Sequence, residues 1–294
     1  MALPHLLFLG TYTRSGTSKG IYSLQLDGAT GALGVPKLAA EIADPGWITL
    51  SPDRRRLYAV QPIASQAVGF EVDADQGTLI RLDAPAGTGP ATAPAHLAID
   101  ATGRVLLAAN YHEGYVAAVP LGAGGSPGQS QSIRHSGRSV HPTRQDKAHV
   151  HSVTVSPDNR HVVVADLGTD QVHTYALDLA GARLTSPASA VLAAAPGAGP
   201  RHAAFGRDGR FLYVVNELHN TVLVCGFAAA RGELNPLQTV STLPNGSQVA
   251  STAAEIRVHP NGQFIYTSNR GYDSADIRAT TSSRCFRSTP RVAG

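Results

Sequence analysis

The chain restates one pattern about every fifty residues. An apolar strand, a tight turn and a second apolar strand recur five times, with turn residues Asp53, Thr102, Asp158, Asp208 and Asn261 spaced by 49, 56, 50 and 53 residues. The fullest copy, residues 199–227, reads GPRHAAFGRDGRFLYVVNELHNTVLVCGF. Within it, 201–205 form one strand, an Asp-Gly turn of the sort that joins antiparallel strands follows, and 211–215 and 221–227 form two more.

A unit of this length with no helical periodicity fits a four-stranded propeller blade better than a solenoid turn. Third strands fall at 20–26, 68–72, 115–120, 171–177 and 221–227, and weaker fourth strands at 38–42, 79–82, 191–194 and 237–242. A β-sandwich is the alternative, but sandwiches do not repeat one phrase five times. The expected fold class is therefore all-β, a propeller with about five and a half blades present, over a single domain at residues 1–274.

The first strand, 6–12, matches the second strand of the other blades, so the chain enters partway through a blade. At the other end the pattern stops near Ala275. Residues 275–294 lack a period of two and are expected to form an aberrant or disordered, non-propeller tail, by frameshift or truncation; a native disordered tail is the alternative. The longest irregular stretch, 122–147, reads as an insertion and holds Arg134, His135, Arg138, His141, Arg144 and Lys147. Its glycines are followed by no Gly-Lys-Ser/Thr, so it is not a phosphate loop.

The formal charge of +3 resides wholly in the tail, where Arg278, Arg284, Arg287 and Arg291 face Asp276 alone; the remaining 274 residues carry 20 basic and 20 acidic groups. This balance argues against nucleic acid as a partner. No apolar run approaches the length of a membrane helix. No secretion signal is visible at the start, so cytoplasmic residence, a monomer and no membrane partner are expected. Cys225 and Cys285 cannot build a disulfide framework, and Cys225 lies in an apolar run as a buried thiol.

In a blade the start of the first strand and the end of the second lie at one rim. That gathers His149, His151, Arg201 and Arg257 with Asn110, Tyr111, Asp166, Asn216, Glu217, Asn269 and Arg270 from distant parts of the chain. Singly each has a bland reading: a satisfied histidine, a bracing arginine, a turn-forming asparagine. His149 and His151, two apart, should share one side of a strand.

The sequence resembles the β-propeller lactonases, typified by the bacterial propeller-type 6-phosphogluconolactonase and related to the fungal carboxymuconate cyclase. The resemblance spans residues 6–274. It rests on Leu9-Gly10-Thr11-Tyr12-Thr13, Asn110-Tyr111, Gly114-Tyr115-Val116, Arg144-Gln145, His149-Val150-His151-Ser152-Val153, Asp166-Leu167-Gly168-Thr169-Asp170, Gly199-Pro200-Arg201-His202, Val215-Asn216-Glu217-Leu218 and Ser268-Asn269-Arg270-Gly271. Ala148 stands where the family usually has Pro.

The resemblance implies a seven-bladed ring and hydrolysis of a sugar lactone, 6-phosphogluconolactone to 6-phosphogluconate. It places the catalytic set on His151, Arg201, Glu217 and Arg270. Substrate contacts are expected at His149, Asn110, Tyr111, Arg144, Asp166, Asn216 and Asn269. It also implies no cofactor and no metal, although His149 and His151 with Glu217 or Asp166 could make a metal-binding set. The residue types suit the reaction, since His or Glu can move protons while Arg binds phosphate or developing negative charge. Two other readings stay open: a lactonase or muconate-lactonising enzyme with another substrate, and a non-catalytic propeller used as a binding platform.

Overall fold

A computed structural model describes residues 5–14, 16–61, 66–82, 86–87, 94–245, 247, 250–271 and 281–287. The chain forms two compact units, the first mainly residues 1–112 and 117–132, the second mainly 113–116, 133–178 and 183–294. All regular structure among the described residues is β-strand, arranged in six antiparallel sheets.

The first unit opens with β1 (His5–Gly10), β2 (Gly20–Leu26) and β3 (Lys37–Glu41) in sequential order. A second meander follows from β4 (Ile48–Leu50), β5 (Arg56–Gln61), β6 (Gln66–Asp73) and β7 (Thr78–Arg81), with the short β8 (Ala86–Gly87) also on β6. Ile21 and Ala39 of the first sheet, with Ile42 just beyond it, pack with Leu57, Ala59, Val68 and Phe70 of the second in one core cluster. The third sheet holds β9 (Pro94–Ile99), β10 (Val105–Asn110), β11 (Tyr115–Pro120) and β12 (Gln131–Arg134).

The second unit contains β13 (Val150–Val155), β14 (His161–Asp166), β15 (Gln171–Asp178), β16 (Arg183–Leu184) and β17 (Ala190–Ala193), the last two both pairing with β15. Next come β18 (Pro200–Phe205), β19 (Phe211–Asn216), β20 (Thr221–Ala228) and β21 (Glu233–Ser241), then β22 (Ser251–Val258), β23 (Phe264–Gly271) and β24 (Thr281–Arg287). Strand β19 shows why the sequence reads as unbroken apolar runs. Leu212 and Val214 join Val163 and Val172 on one face, while Tyr213 and Val215 join Ala253, Ile256 and Ile265 on the other. A sheet packed on both sides has no polar face to alternate with.

The repeated turn rests on one hydrogen bond. Asp53, Asp158, Asp208 and Asn261 each accept, through a side-chain oxygen, the backbone N–H two residues ahead, at 3.1, 3.2, 3.1 and 2.9 Å. In the second copy Asp100 accepts the Thr102 N–H instead. The following residue is left-handed in all five copies: Arg54, Gly103, Asn159, Gly209 and Gly262 have φ between 58° and 73°. Glycine and asparagine take that conformation at least cost, and Arg54 is the strained exception.

Two expectations change. The irregular insertion contains a fourth strand, β12, whose four residues, Gln-Ser-Ile-Arg, hold a single apolar side chain and so show no alternation to read. The tail also contributes a strand: β24 pairs antiparallel with β23 from Phe264↔Arg287 to Arg270↔Thr281. Backbone pairing needs no alternation of side chains, so a period-two search passes over such a segment. The rest of the tail, 275–280 and 288–294, lies outside the described residues.

Candidate active site

Four inner strands carry the same irregularity near their start. In β9, β13, β18 and β22 the register slips by one residue where the strand faces the end of its neighbour. The extra residue is Ala95 in β9, His151 in β13 and Arg201 in β18, and the slip in β22 falls at Ala254 and Glu255. A β-bulge releases its residue from the ladder and re-aims its side chain. Two of the expected catalytic residues are therefore the bulged ones.

In the second unit these side chains meet at Glu217, which follows the last residue of β19 and is 1% exposed. Its Oε1 receives Arg144 Nη2 at 2.6 Å and Arg270 Nη2 at 3.1 Å; its Oε2 receives Arg201 Nε at 2.8 Å and lies 3.9 Å from His151 Nε2. Three guanidinium groups around one carboxylate leave an excess of two positive charges. Burial and the Arg270 charge pull the Arg201 guanidinium below its ordinary value, and Glu217 opposes them. Arg144 and Arg270 keep 35% and 37% of their side chains exposed, so the cluster has a wet side. Arg270 Nε is buried without a hydrogen-bond partner.

Arg144 reaches this point because its neighbour is fixed. Gln145 is fully buried and donates to Leu167 O at 2.9 Å and Asp170 Oδ1 at 2.7 Å, while its Oε1 accepts the His141 N–H. Asp170 in turn accepts the N–H groups of Gly197 and Gly199. Gly168 is required where this segment crosses the turn after β14, since a Cβ there would collide with the Lys147 carbonyl oxygen.

Other expected substrate contacts turn inward. Asp166 is fully buried and accepts the N–H groups of His149, Gly168 and Thr169 through Oδ1 and bonds His135 Nδ1 through Oδ2 at 2.9 Å. Asn216 donates to Thr221 Oγ1, and Asn269 to Asn220 Oδ1 and Thr242 Oγ1. Asp166 and Asn216 thus bond the turn that follows their own strand, while Asn269 ties β23 back to the preceding sheet. In the first unit, Asn110 is fully buried at the end of β10, and Tyr111 lies edge-on to His112 at 5.4 Å.

His149 does not share a side with His151. It precedes β13, its Nε2 lies 3.0 Å from Asp146, and the bulge at His151 breaks the alternation that the two-residue spacing assumed. Arg257 does not reach Glu217; its side chain is 68% exposed and pairs with Glu255. The metal-binding set drawn from His149, His151, Glu217 and Asp166 is thus not assembled. Among the described residues His135, Asp166 and His173 are the group with ligand atoms within 4.8 Å of one another, and both ring nitrogens of His135 are engaged, by Asp166 and by Tyr175 Oη at 2.9 Å.

Sequence reasoning missed His202, Glu255, Gln145 and Asp170. His202 and Glu255 bond at 2.9 Å directly behind Arg201. The motif Gly-Pro-Arg-His had flagged the histidine's position without giving it a task.

Comparison with known proteins supplies context for this geometry. The family model described as lactonase, 7-bladed beta-propeller, matches residues 6–281. The 6-phosphogluconolactonase of Bacillus subtilis is 36% identical over 273 residues, covering 92% of this chain and 76% of its own. That of Pectobacterium carotovorum is 33% identical over 264 residues, covering 88% and 73%. Among solved structures, the periplasmic gluconolactonase of Pseudomonas aeruginosa superposes with a TM-score of 0.83 at 32% identity, over 96% of this chain and 83% of that one. A Lactobacillus plantarum protein gives 0.82 at 30% identity, over 95% and 82%.

Proposed function

The chain belongs to the lactonase family of seven-bladed β-propellers, and on that premise we propose that it hydrolyses a sugar lactone, 6-phosphogluconolactone to 6-phosphogluconate, at the Glu217 cluster. The observation that supports this most is the excess of positive charge around one buried carboxylate, with a histidine 3.9 Å away.

Opening the ring needs a water deprotonated as it attacks, donors for the oxyanion, and a proton for the departing ring oxygen. Glu217 is occupied by three arginines, so its task is to hold them in position. His151 is then the group that takes the water proton as the new C–O bond forms and returns it to the ring oxygen as the old bond breaks. Such acid–base work is worth roughly 10²–10⁴ in rate. Arg201 faces the carbonyl oxygen as it becomes charged, where a preorganised donor contributes about 3–4 kcal/mol. Arg144 and Arg270, on the wet side, bind the phosphate through their exposed guanidinium nitrogens.

A second reading is favoured by one observation, the gluconolactonase relative from Pseudomonas, whose name carries no phosphate and a periplasmic location. In that reading the arginines bind sugar hydroxyls and carboxylate, and the cytoplasmic residence that suits a phosphorylated substrate does not hold. No described helix is long and apolar enough to cross a membrane. Proton release from purified chain given the phosphorylated and the plain δ-lactone separates the two readings. Preference of at least about tenfold in kcat/KM for the phosphorylated lactone supports the first, and equal rates refute the phosphate assignment.

A further inference from the structure

Near the entries of the inner strands, side chains of successive sheets meet in two places. In the first unit the contact is between Trp47 and His96, ring centroids 4.0 Å apart, with Trp47 Nε1 donating to Leu97 O. Packing there is met by two rings tilted 34° to one another. In the second unit the contact is between His202 and Glu255, an ionisable pair bonded Nδ1 to Oε2 at 2.9 Å, with His202 3% exposed.

The neighbours of His202 make this more than a structural bond. Arg201 Nη1 lies 3.2 Å from His202 Nε2 and 3.5 Å from Nδ1. Near-equal distances to both ring nitrogens put the guanidinium nitrogen over the ring face, the seat of a cation on an aromatic surface. The same Nη1 donates to Ala254 O at 2.6 Å, while Arg201 Nε goes to Glu217. The edge of His202 also lies against His151, centroids 5.1 Å apart at 69°.

We propose that His202 and Glu255 are a positioning pair for the Glu217 cluster: a neutral imidazole, its tautomer set by Glu255, is the floor on which the Arg201 guanidinium lies and fixes the angle at which it meets Glu217. Nδ1 carries the proton, donated to Glu255, and the ring face stays electron-rich toward the cation. The charged and titratable groups facing His202 are Glu255 and Arg257 from β22, Arg201 from its own strand and His151 from β13. Burial holds the imidazole below its ordinary value, with Glu255 pulling upward and Arg201 and Arg257 downward. Protonation would set two cations face to face, so Arg201 loses its seat in acid.

The pair rests on the lactonase reading only for its kinetic consequence, and its test carries a readout that does not depend on substrate. In the full chain near pH 7.5, nitrogen-15 NMR should show His202 as the Nδ1–H tautomer and Arg201 Nε–H as a slowly exchanging proton. His202→Ala should speed that exchange, and lower kcat/KM for 6-phosphogluconolactone, by at least about tenfold each. His202→Phe, which restores a ring face without a proton to gain, should recover both to within about threefold and remove the histidine's ionisation from the acid limb of the pH profile. An Nε2–H tautomer in the unaltered chain overturns the pair. So does an Arg201 exchange rate in the unaltered chain that stays level with that of His202→Phe all the way through acidification. If the unaltered chain opens no lactone, the functional reading fails and the exchange data alone decide the pair.

Discussion

Arg144 and Glu217 stand 73 residues apart in the chain and meet at 2.6 Å. The first comes from the loop after β12, the second from the end of β19, and neither belongs to a strand. The contact joins the irregular part of the chain to the regular part, and it does so at the single carboxylate on which Arg201 and Arg270 also converge.

Replacing that carboxylate should therefore cost both stability and rate. Glu217→Gln leaves three guanidinium groups facing a neutral amide, one of them largely buried. Breaking a buried charge pair costs about 3–5 kcal/mol, and the exposure of Arg144 and Arg270 reduces this to roughly 2–3. Urea unfolding measures the loss, and a variant as stable as the parent would show the cluster to be energetically neutral.

Arg201→Ala should cut lactone hydrolysis by at least about tenfold, and Arg201→Lys should not restore it. Lysine offers a point charge, whereas Arg201 uses Nε toward Glu217 and Nη1 toward Ala254 in one plane. Steady-state rates with either variant near the parent value would remove Arg201 from the chemistry.

His173 should make the fold sensitive to mild acid. Burial, and then the nearby His135, lower its pKa from 6.5 to about 4. The unfolded chain binds this proton first, so the contribution is complete above about pH 6.5 and is lost as pH falls toward 4. His173→Gln should flatten the fall in stability across that window, by a few kcal/mol at most. Thermal melts at pH 7 and 4.5 that shift equally in both chains would contradict it.

Arg54 occupies a left-handed turn position that glycine holds in three of the other copies. Arg54→Gly should stabilise the chain by about 0.5 kcal/mol, the relief of the Cβ clash less the added freedom of the unfolded state. A loss of stability in a urea melt would mean that the arginine side chain outweighs its strain.

The repeat was legible because its signals are local. Asp53, Asp158, Asp208 and Asn261 act on amides two residues away, and apolar runs such as 161–165 mark sheets buried on both faces. Much of the rim was legible too: His151, Arg201, Glu217 and Arg270 come together as the blade scheme implies. The bulges were not, because a register slip depends on what the partner strand does, and an alternation count through His149 and His151 steps over it. Asp166, Asn216 and Asn269 carry residue types that suit either a ligand or a turn, and only their hydrogen bonds show the first two tied to their own turns and the third to the neighbouring sheet. The pairing of His202 with Glu255 spans 53 residues and two sheets, a distance no local pattern reports.

The slips in β9, β13, β18 and β22 give the architecture a particular freedom. A residue held outside the ladder has no partner across the strand whose size or polarity it must match, so that position can change identity while the sheet around it stays as it was. Alanine, histidine and arginine already occupy it in one chain, which makes these the sites at which a new substrate preference could be installed without rebuilding the scaffold.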